Sequence, residues 1–539
     1  MSEKPKMSDK PKMSDKPKMS DKPIWITQFN RPAGTEIKHI GNRWYLYERL
    51  SVYDKEKKRK RKKSGRCLGA ITEDGLKPSR RNSPLAQAAP RETENLEYGA
   101  TAFLLGLTGP MRKRLAALFP DCWRELFAMA LLKCKERSRF RRMDFHYGTS
   151  FMAQCLGGLH LSAGRVTELL RHVGTDRGAI REYMKGDLPS DGLVMFDGHR
   201  LISGSGTLEY ARVGYDSRCR FLPQVNLLYM FSVSGLRKFP VYYKQYAGDV
   251  PDVSAFSDIV ADAGLRKRDV TVIADKGFES GLNEALLDDA SLGYVLAVRR
   301  GCAGVPEIPS SPDRYEKAFN FRGRAIYCNE YRAGKDRLFL YYDMSLANDE
   351  AVDFITRTEK ANNAADRKRE AEDRRRRKGK GRLSQEEYER LAPLDVAEAL
   401  QAHRGNGTFI LKTNKGGINC AQAYCLYKTR QDIEQAFKSY DDTLDGAASY
   451  MRDQYSFEAW LFVNHLALQM LYEVIGALAE KELADQYSFE DVMAFLKHVR
   501  ANRIDGEWRL TKITRHTAKL CKALGIELEE PEKLRVSLK

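Results

Sequence analysis

In Val270-Thr271-Val272-Ile273-Ala274-Asp275-Lys276-Gly277-Phe278 a five-residue strand-like run, Val270 to Ala274, stops at an aspartate and a glycine turn. Such a run, bounded by turn formers, reads as a buried strand ending at Asp275. Upstream, Leu193-Val194-Met195-Phe196 is a second short apolar run, and it ends at Asp197-Gly198. Between the two, Gln224 to Val233 and Phe239 to Tyr246 are β-rich runs separated by Ser234-Gly235, the pattern of a hairpin. Ala255 to Leu265 carries Phe256, Ile259 and Val260 at helical spacing and closes at Gly264. Downstream, Ser280 to Asp289 reads as a capped helix and Tyr294 to Val298 as another buried strand.

The order is therefore strand, strand, strand, helix, strand, helix, strand. Three antiparallel strands followed by alternating helices and strands describe an α/β fold with a ribonuclease-H-like core, a mixed sheet flanked by helices. Seven segments follow from composition and pattern: a hexapeptide repeat (1–24), a basic β-hairpin module (25–90), a helical region for DNA binding or dimerisation (91–186), the first part of the core (187–300), an insertion with a charged helical hairpin (301–404), the second part of the core (405–475) and a C-terminal helical region (476–539).

The repeat MSEKPK, MSDKPK, MSDKPK, MSDKPI has a proline in every unit and methionine as its apolar residue until Ile24, so it cannot offset ordering entropy and reads as a disordered leader. Arg43 to Tyr53 alternates as a strand after the Gly41-Asn42 turn, and a shorter strand is expected from Arg66 to Ile71. The seven consecutive cations Lys57 to Lys63 then form the tip of the hairpin. From 95 to 185 apolar residues recur at helical spacing, with Ser162 as an N-cap, and a helix pair of this type is a candidate DNA reader. Arg374 to Arg382 is a second basic run, expected at the turn of the helical hairpin, and Thr408 to Thr413 is a strand before a helix from about Tyr424.

With 91 Lys and Arg against 73 Asp and Glu, the 539-residue chain carries a net charge of +18, which points to a polyanionic partner. Ten scattered cysteines without a Cys-x-x-Cys pair exclude a disulfide scaffold and disfavour a zinc site. No signal peptide or membrane span is expected. Trp460 to Ala479 has the length of a span but is interrupted by Asn464, His465, Gln469 and Glu473, so it reads as a core helix with one wet or partner-facing stripe.

Asp197 and Asp275 each follow an apolar strand, where a sheet edge opens to solvent. On neighbouring strands their carboxylates come within reach of a shared Mg²⁺ or Mn²⁺, hard ions that take oxygen ligands. A third element is the stretch from Tyr427 to Lys438: on one helix Tyr427, Arg430, Glu434 and Lys438 fall within an arc of roughly 80°. That helix presents a phenol, a guanidinium, a carboxylate and an ammonium on one face. By itself it also reads as an amphipathic helix with a solvated stripe.

Taken together, Phe196-Asp197-Gly198, Ala274-Asp275-Lys276-Gly277-Phe278 and the Tyr-x2-Arg-x3-Glu pattern at Tyr427, Arg430 and Glu434 make the chain resemble the insertion-sequence DDE transposases of the IS4 superfamily, in its IS1634-like branch, over about 190–475. The resemblance implies that Asp197, Asp275 and Glu434 are the acidic triad, holding two Mg²⁺ or Mn²⁺ ions for phosphodiester hydrolysis and strand transfer. It makes Tyr427, Arg430 and Lys438 DNA contacts. Its partners would be double-stranded DNA, as inverted-repeat ends and as target, and a second copy in a homodimer, with the helices after Asp453 as one candidate interface. Its place would be the cytoplasm, at the nucleoid. Two departures stand out: Asp441 occupies the position of the family lysine seven residues after Glu434, and Gly198 is followed by His199 rather than threonine. The other readings are a ribonuclease-H-like nuclease that cuts without rejoining and a DNA-binding regulator with a decayed site.

Overall fold

The computed structural model describes residues 22–54, 59–79, 93–214, 222–235, 237–301, 304–309, 311–397, 400, 405–430 and 448–537. The repeat thus lies outside the described residues up to residue 21. The chain forms two units, one of residues 1–93 with 503–507, the other of 94–502 with 508–539.

In the first unit β1 (Thr35–Ile40), β2 (Arg43–Asp54), β3 (Arg59–Thr72) and β4 (Gly75–Pro78) form an antiparallel sheet in chain order. Trp44, Leu46 and Ile71 line one face, and Ile26 completes their small core. β1 pairs with β2 only between Arg43 and Glu48, and β4 with β3 only between Gly69 and Thr72. The remainder, Arg49–Asp54 against Arg59–Ser64, continues as a two-stranded ribbon. This corrects the expected hairpin. Arg59 to Lys63 belong to a strand rather than to a tip, and Lys57 and Lys58 lie outside the described residues. A run of like charges has no alternation to read, yet a ladder needs only backbone groups, and β2 supplies them.

After a short strand at Thr93–Glu97, the second unit continues with helices that include α1 (Trp123–Glu136) and α2 (Ala163–Thr175). Ser162 stands at the N-cap of α2 but makes no side-chain capping bond. Then follow β5 (Asp191–Ser203), β6 (Arg212–Gly214), β7 (Leu222–Ser234), β8 (Arg237–Ala247), α3 (Asp252–Ala263), β9 (Asp269–Ala274), α4 (Gly281–Asp289) and β10 (Gly293–Val298). Next come β11 (Lys317–Phe321), β12 (Arg324–Ala333), β13 (Asp336–Asp343), α5 (Met344–Arg376), β14 (Thr408–Thr413), α6 (Cys420–Lys428), β15 (Ala448–Ser449) and α7 (Gln454–Glu480). Strands β5 to β15 join one mixed sheet in the order β11-β12-β13-β14-β10-β9-β5-β7-β6, with β8 also on β7 and β15 also on β5. β9 runs parallel to β5 and β10, whereas β7 runs antiparallel to both of its neighbours β5 and β8. β11 to β13 extend the sheet beyond β14, and the chain then leaves as α5. At the end of α5 the basic run turns back on the buried Glu372, whose carboxylate accepts the Arg382 and Leu383 amides at 2.6 and 3.0 Å.

α7 is the central helix. It has the length and composition to cross a membrane, but 83% of its apolar window is buried inside the protein, so it is a core helix. It packs on α1, α2 and β8, and at Gly174 of α2 a Cβ would overlap the Tyr455 carbonyl. The expected wet stripe is absent: Asn464, His465 and Gln469 are fully buried. Asn464 donates to the Trp460 carbonyl of its own helix at 2.7 Å, and His465 lies against the Tyr229 and Tyr243 rings with no hydrogen-bond partner for either nitrogen among the described residues. Gln469 donates to Asp187 at 2.8 Å and to the Pro240 carbonyl at 3.0 Å and accepts from Tyr183, while Glu473 pairs with Arg237. A buried amide with its bonds made costs little, whereas an unmatched one costs about 1–3 kcal/mol. α7 is therefore packed for most of its length within its own unit.

Candidate active site

The register of the parallel pair β5 and β9 sets the site. Val272 lies beside Val194 and Ile273 beside Met195. Two residues further along each chain are Asp275 and Asp197. Because side chains alternate with a period of two, both project to the same face as Ile273 and Met195. One expectation needs correcting here. β5 does not stop at Phe196 but runs on to Ser203, held by β7, with Asp197 opposite Tyr229. It is the parallel neighbour β9 that ends, and its ending opens the sheet beside Asp197. His199, two residues on, is consequently a buried strand residue and not a loop imidazole.

Gly198 makes room for α3. A Cβ there would come within 2.9 Å of the Asp252 carboxylate, which Arg200 holds at 3.3 Å. Burial pushes the Asp252 carboxyl above its usual range, and Arg200 pulls it back in part. After Asp275 the chain turns tightly, with the Phe278 amide bonded to the Asp275 carbonyl at 2.9 Å and the Phe278 ring packed on Phe256.

The third element is α6. It starts at Cys420, earlier than the apolar spacing suggests, because Asn419 and Gln422 form a capping box there. Ala423 and Tyr424 are its buried face. Tyr427 donates from its hydroxyl to Asp275 Oδ1 at 2.8 Å. Burial, then the Asp275 carboxylate, pushes the phenol well above its ordinary range, so it stays a proton donor. Arg430 sits in the turn after the helix, not within it, and its guanidinium lies 3.2 Å from Asp197 and 3.7 Å from Asp275. The sequence-expected residues Asp197, Asp275, Tyr427 and Arg430 therefore meet at one point. Glu434, Lys438 and Asp441 lie outside the described residues.

Beside this cluster is a cleft of about 400 Å³ whose lining includes Asp275, Lys276, Arg299, Arg300, Lys428 and Arg430. Arg300 donates to both oxygens of Glu350 at 2.8 and 2.9 Å and, through Nε, to the Thr408 carbonyl at 2.8 Å. Glu350 also accepts the Gly407 amide at 2.8 Å. Lys428 lies over the Phe409 and Tyr424 rings. The sequence reading passed over Arg299, Arg300 and Lys428. Arg299-Arg300 directly follows the buried strand β10, the same signal that marks Asp197 and Asp275, and could have been found by it.

Among the described residues no three His, Cys, Asp or Glu side chains are grouped to hold a metal ion. Asp197 and Asp275 supply two hard carboxylates that already converge on one cation, the Arg430 guanidinium, within 4 Å. That donor set fits a divalent ion in need of further oxygen ligands.

Residues 194–470, just over half of the chain, match the family model for the transposase DDE domain. The chain belongs to the DDE transposase family. It is thus an enzyme of DNA transposition, and this family generally uses divalent metal ions. Among solved structures the transposase is similar to a piggyBac transposase synaptic complex with hairpin DNA, at 10% identity and a TM-score of 0.35, covering 83% of this chain and 87% of that one. No curated protein matches it.

Proposed function

We propose that this DDE transposase has a ribonuclease-H-like core, belongs to the IS4 superfamily in its IS1634-like branch, and cuts and joins DNA at the ends of an insertion sequence. The strand order β8-β7-β5-β9-β10, three antiparallel strands followed by two parallel ones, supports the core assignment. The observation that carries the active-site reading is the parallel register that sets Asp197 beside Asp275 with Arg430 against both. Glu434 is the third acid of the triad. It follows Arg430 by four residues, and four residues span at most about 14 Å.

Asp197, Asp275 and Glu434 would hold two Mg²⁺ or Mn²⁺ ions, which when bound activate the attacking oxygen and offset charge on the reacting phosphate. Tyr427 orients Asp275 through its hydrogen bond. Arg430, with Lys438, clamps a DNA phosphate, a task for which a planar guanidinium is suited. In the first step water attacks phosphorus and the 3′ oxygen leaves as a hydroxyl. In the second that hydroxyl attacks a phosphodiester of the target and displaces its 3′ oxygen, so the number of ester bonds is conserved and no nucleotide is consumed. Two copies would hold two ends, in the cytoplasm at the nucleoid.

The test uses a duplex carrying the inverted repeats that flank the coding region. Mg²⁺-dependent nicking followed by joining to a second duplex is expected, with both lost in Asp197→Asn, Asp275→Asn and Glu434→Gln. Wild-type cleavage by any of these variants contradicts the triad, and nicking without joining supports a nuclease instead.

A further inference from the structure

The two-stranded ribbon of the first unit has a composition that its own fold does not explain. Its arms pair Arg49 with Ser64, Leu50 with Lys63, Ser51 with Lys62, Val52 with Arg61 and Tyr53 with Lys60. Directly opposed residues share a face. One face therefore carries Ser51, Tyr53, Lys60 and Lys62, and the other Leu50, Val52, Arg61 and Lys63. Every pair from Leu50 to Tyr53 contributes a cation. Arg59 to Lys63 are all exposed, and among the described residues none of the five has an ion-pair partner. Leu50, Val52 and Tyr53 are exposed as well, at 48, 49 and 58%.

A two-stranded ribbon without a packed face is marginal in water, and five adjacent like charges weaken it further. Both defects are removed by a polyanion that also covers apolar side chains. A second copy of the chain would not do so, since its own ribbon would repel, and lysines along a strand edge oppose edge pairing. The dimensions select the form of the polyanion. Two strands about 5 Å apart, with their side chains, match a B-DNA major groove of about 12 Å and exceed a minor groove of about 6 Å. Five paired residues span roughly 17 Å, or about five base pairs.

We infer that the ribbon Arg49–Tyr53 with Arg59–Ser64 inserts into the major groove of duplex DNA, one face against the base edges and its lysines and arginines reaching the phosphates on both walls. The inference rests on the assignment of DNA as substrate and adds a recognition element separate from the acids. It moves end recognition from the helices before residue 185 to the β-ribbon.

The experiment uses the full chain and a 30-base-pair duplex carrying the element end, with the salt dependence of binding as readout. The double variants Lys60→Ala with Lys62→Ala, and Arg61→Ala with Lys63→Ala, are each expected to lower the slope of log K against log salt by about 1.8, at about 0.9 per lost phosphate contact. Affinity should fall at least tenfold, with the unfolding temperature unchanged. Ser51→Cys and Val52→Cys place a thiol on opposite faces. One of them is expected to cross-link to a duplex with a major-groove thiol tether, beyond the level of the unsubstituted chain, and not to a minor-groove tether. Unchanged slopes, or cross-linking at the minor groove or at neither, overturn the inference while leaving the transposase reading in place. Failure of the unsubstituted chain to bind duplex DNA at all would overturn both.

Discussion

Of the places in the second unit that bring a carboxylate against a guanidinium, two behave differently from each other. In the layer between α7 and the sheet, Glu458 is held by Arg177 and by the Gln245 amide and is almost wholly buried. Burial pushes its carboxyl up, and Arg177 pulls it back down. Where β9 ends beside β5, one guanidinium faces two carboxylates, and Asp275 opens on the cleft. The first arrangement has matched charges and no access. The second sets two carboxylates against one guanidinium and has access to a cleft, its acids held together by sheet register, Arg430 and the Tyr427 hydroxyl. Contact between acid and base thus says little about role. The excess of acid and the opening beside it say more.

The largest expected effect sharpens that contrast at the cleft. Asp197→Asn or Asp275→Asn should reduce cleavage by about ten-thousandfold or more, some 5 kcal/mol of barrier, without lowering the unfolding temperature, because each removes like-charge repulsion. Next, Glu458→Ala leaves the half-buried Arg177 charge and the Gln245 amide without their acceptor and should cost about 1 to 3 kcal/mol in denaturant unfolding, with catalytic rate per folded molecule unchanged. If Glu458→Ala instead abolished cleavage in a stable protein, the contrast would fail.

A third effect concerns pH. His465 of α7 is fully buried between the Tyr229 and Tyr243 rings, and burial, reinforced by Arg177 and Arg114, pushes its imidazole down to about 3. The unfolded chain takes up this proton near its ordinary value of 6.5 and the folded chain does not. The stabilisation is therefore complete above 6.5 and is lost as pH falls toward 3. By about pH 4.5 the loss should reach roughly 2 to 3 kcal/mol. Comparing unfolding curves of wild type and His465→Gln over this range should show a flatter acid limb in the variant. The smallest effect returns to the site: Tyr427→Phe removes one hydrogen bond to Asp275 and should lower the cleavage rate about fivefold, near 1 kcal/mol.

The strands of the core were legible because each is a short apolar run closed by turn residues, and Asp197 and Asp275 were singled out by that punctuation. Their neighbourhood was not legible, since register is a pairing property that no single strand carries. The same limit applies to β5, whose continuation past Asp197 depends on β7. Polarity misled in two places for opposite reasons. The polar residues of α7 suggested an exposed face, but the Gln469 amide meets Asp187 and the Pro240 carbonyl, remote in sequence. The basic run suggested a loop, but backbone pairing with β2 makes it a strand. Arg300 joins Glu350 across 50 residues, a pairing invisible to any local pattern.

We propose that Asp197, Asp275 and Glu434 together form one two-ion metal site. Anomalous diffraction from crystals of the full protein grown with Mn²⁺ and cleaved end DNA tests it most directly. Two manganese peaks are expected, held between them by oxygens of all three residues, beside the 3′ end of the DNA. A peak elsewhere, or one at the Asp197–Asp275 pair with the Glu434 carboxylate turned away, would contradict it.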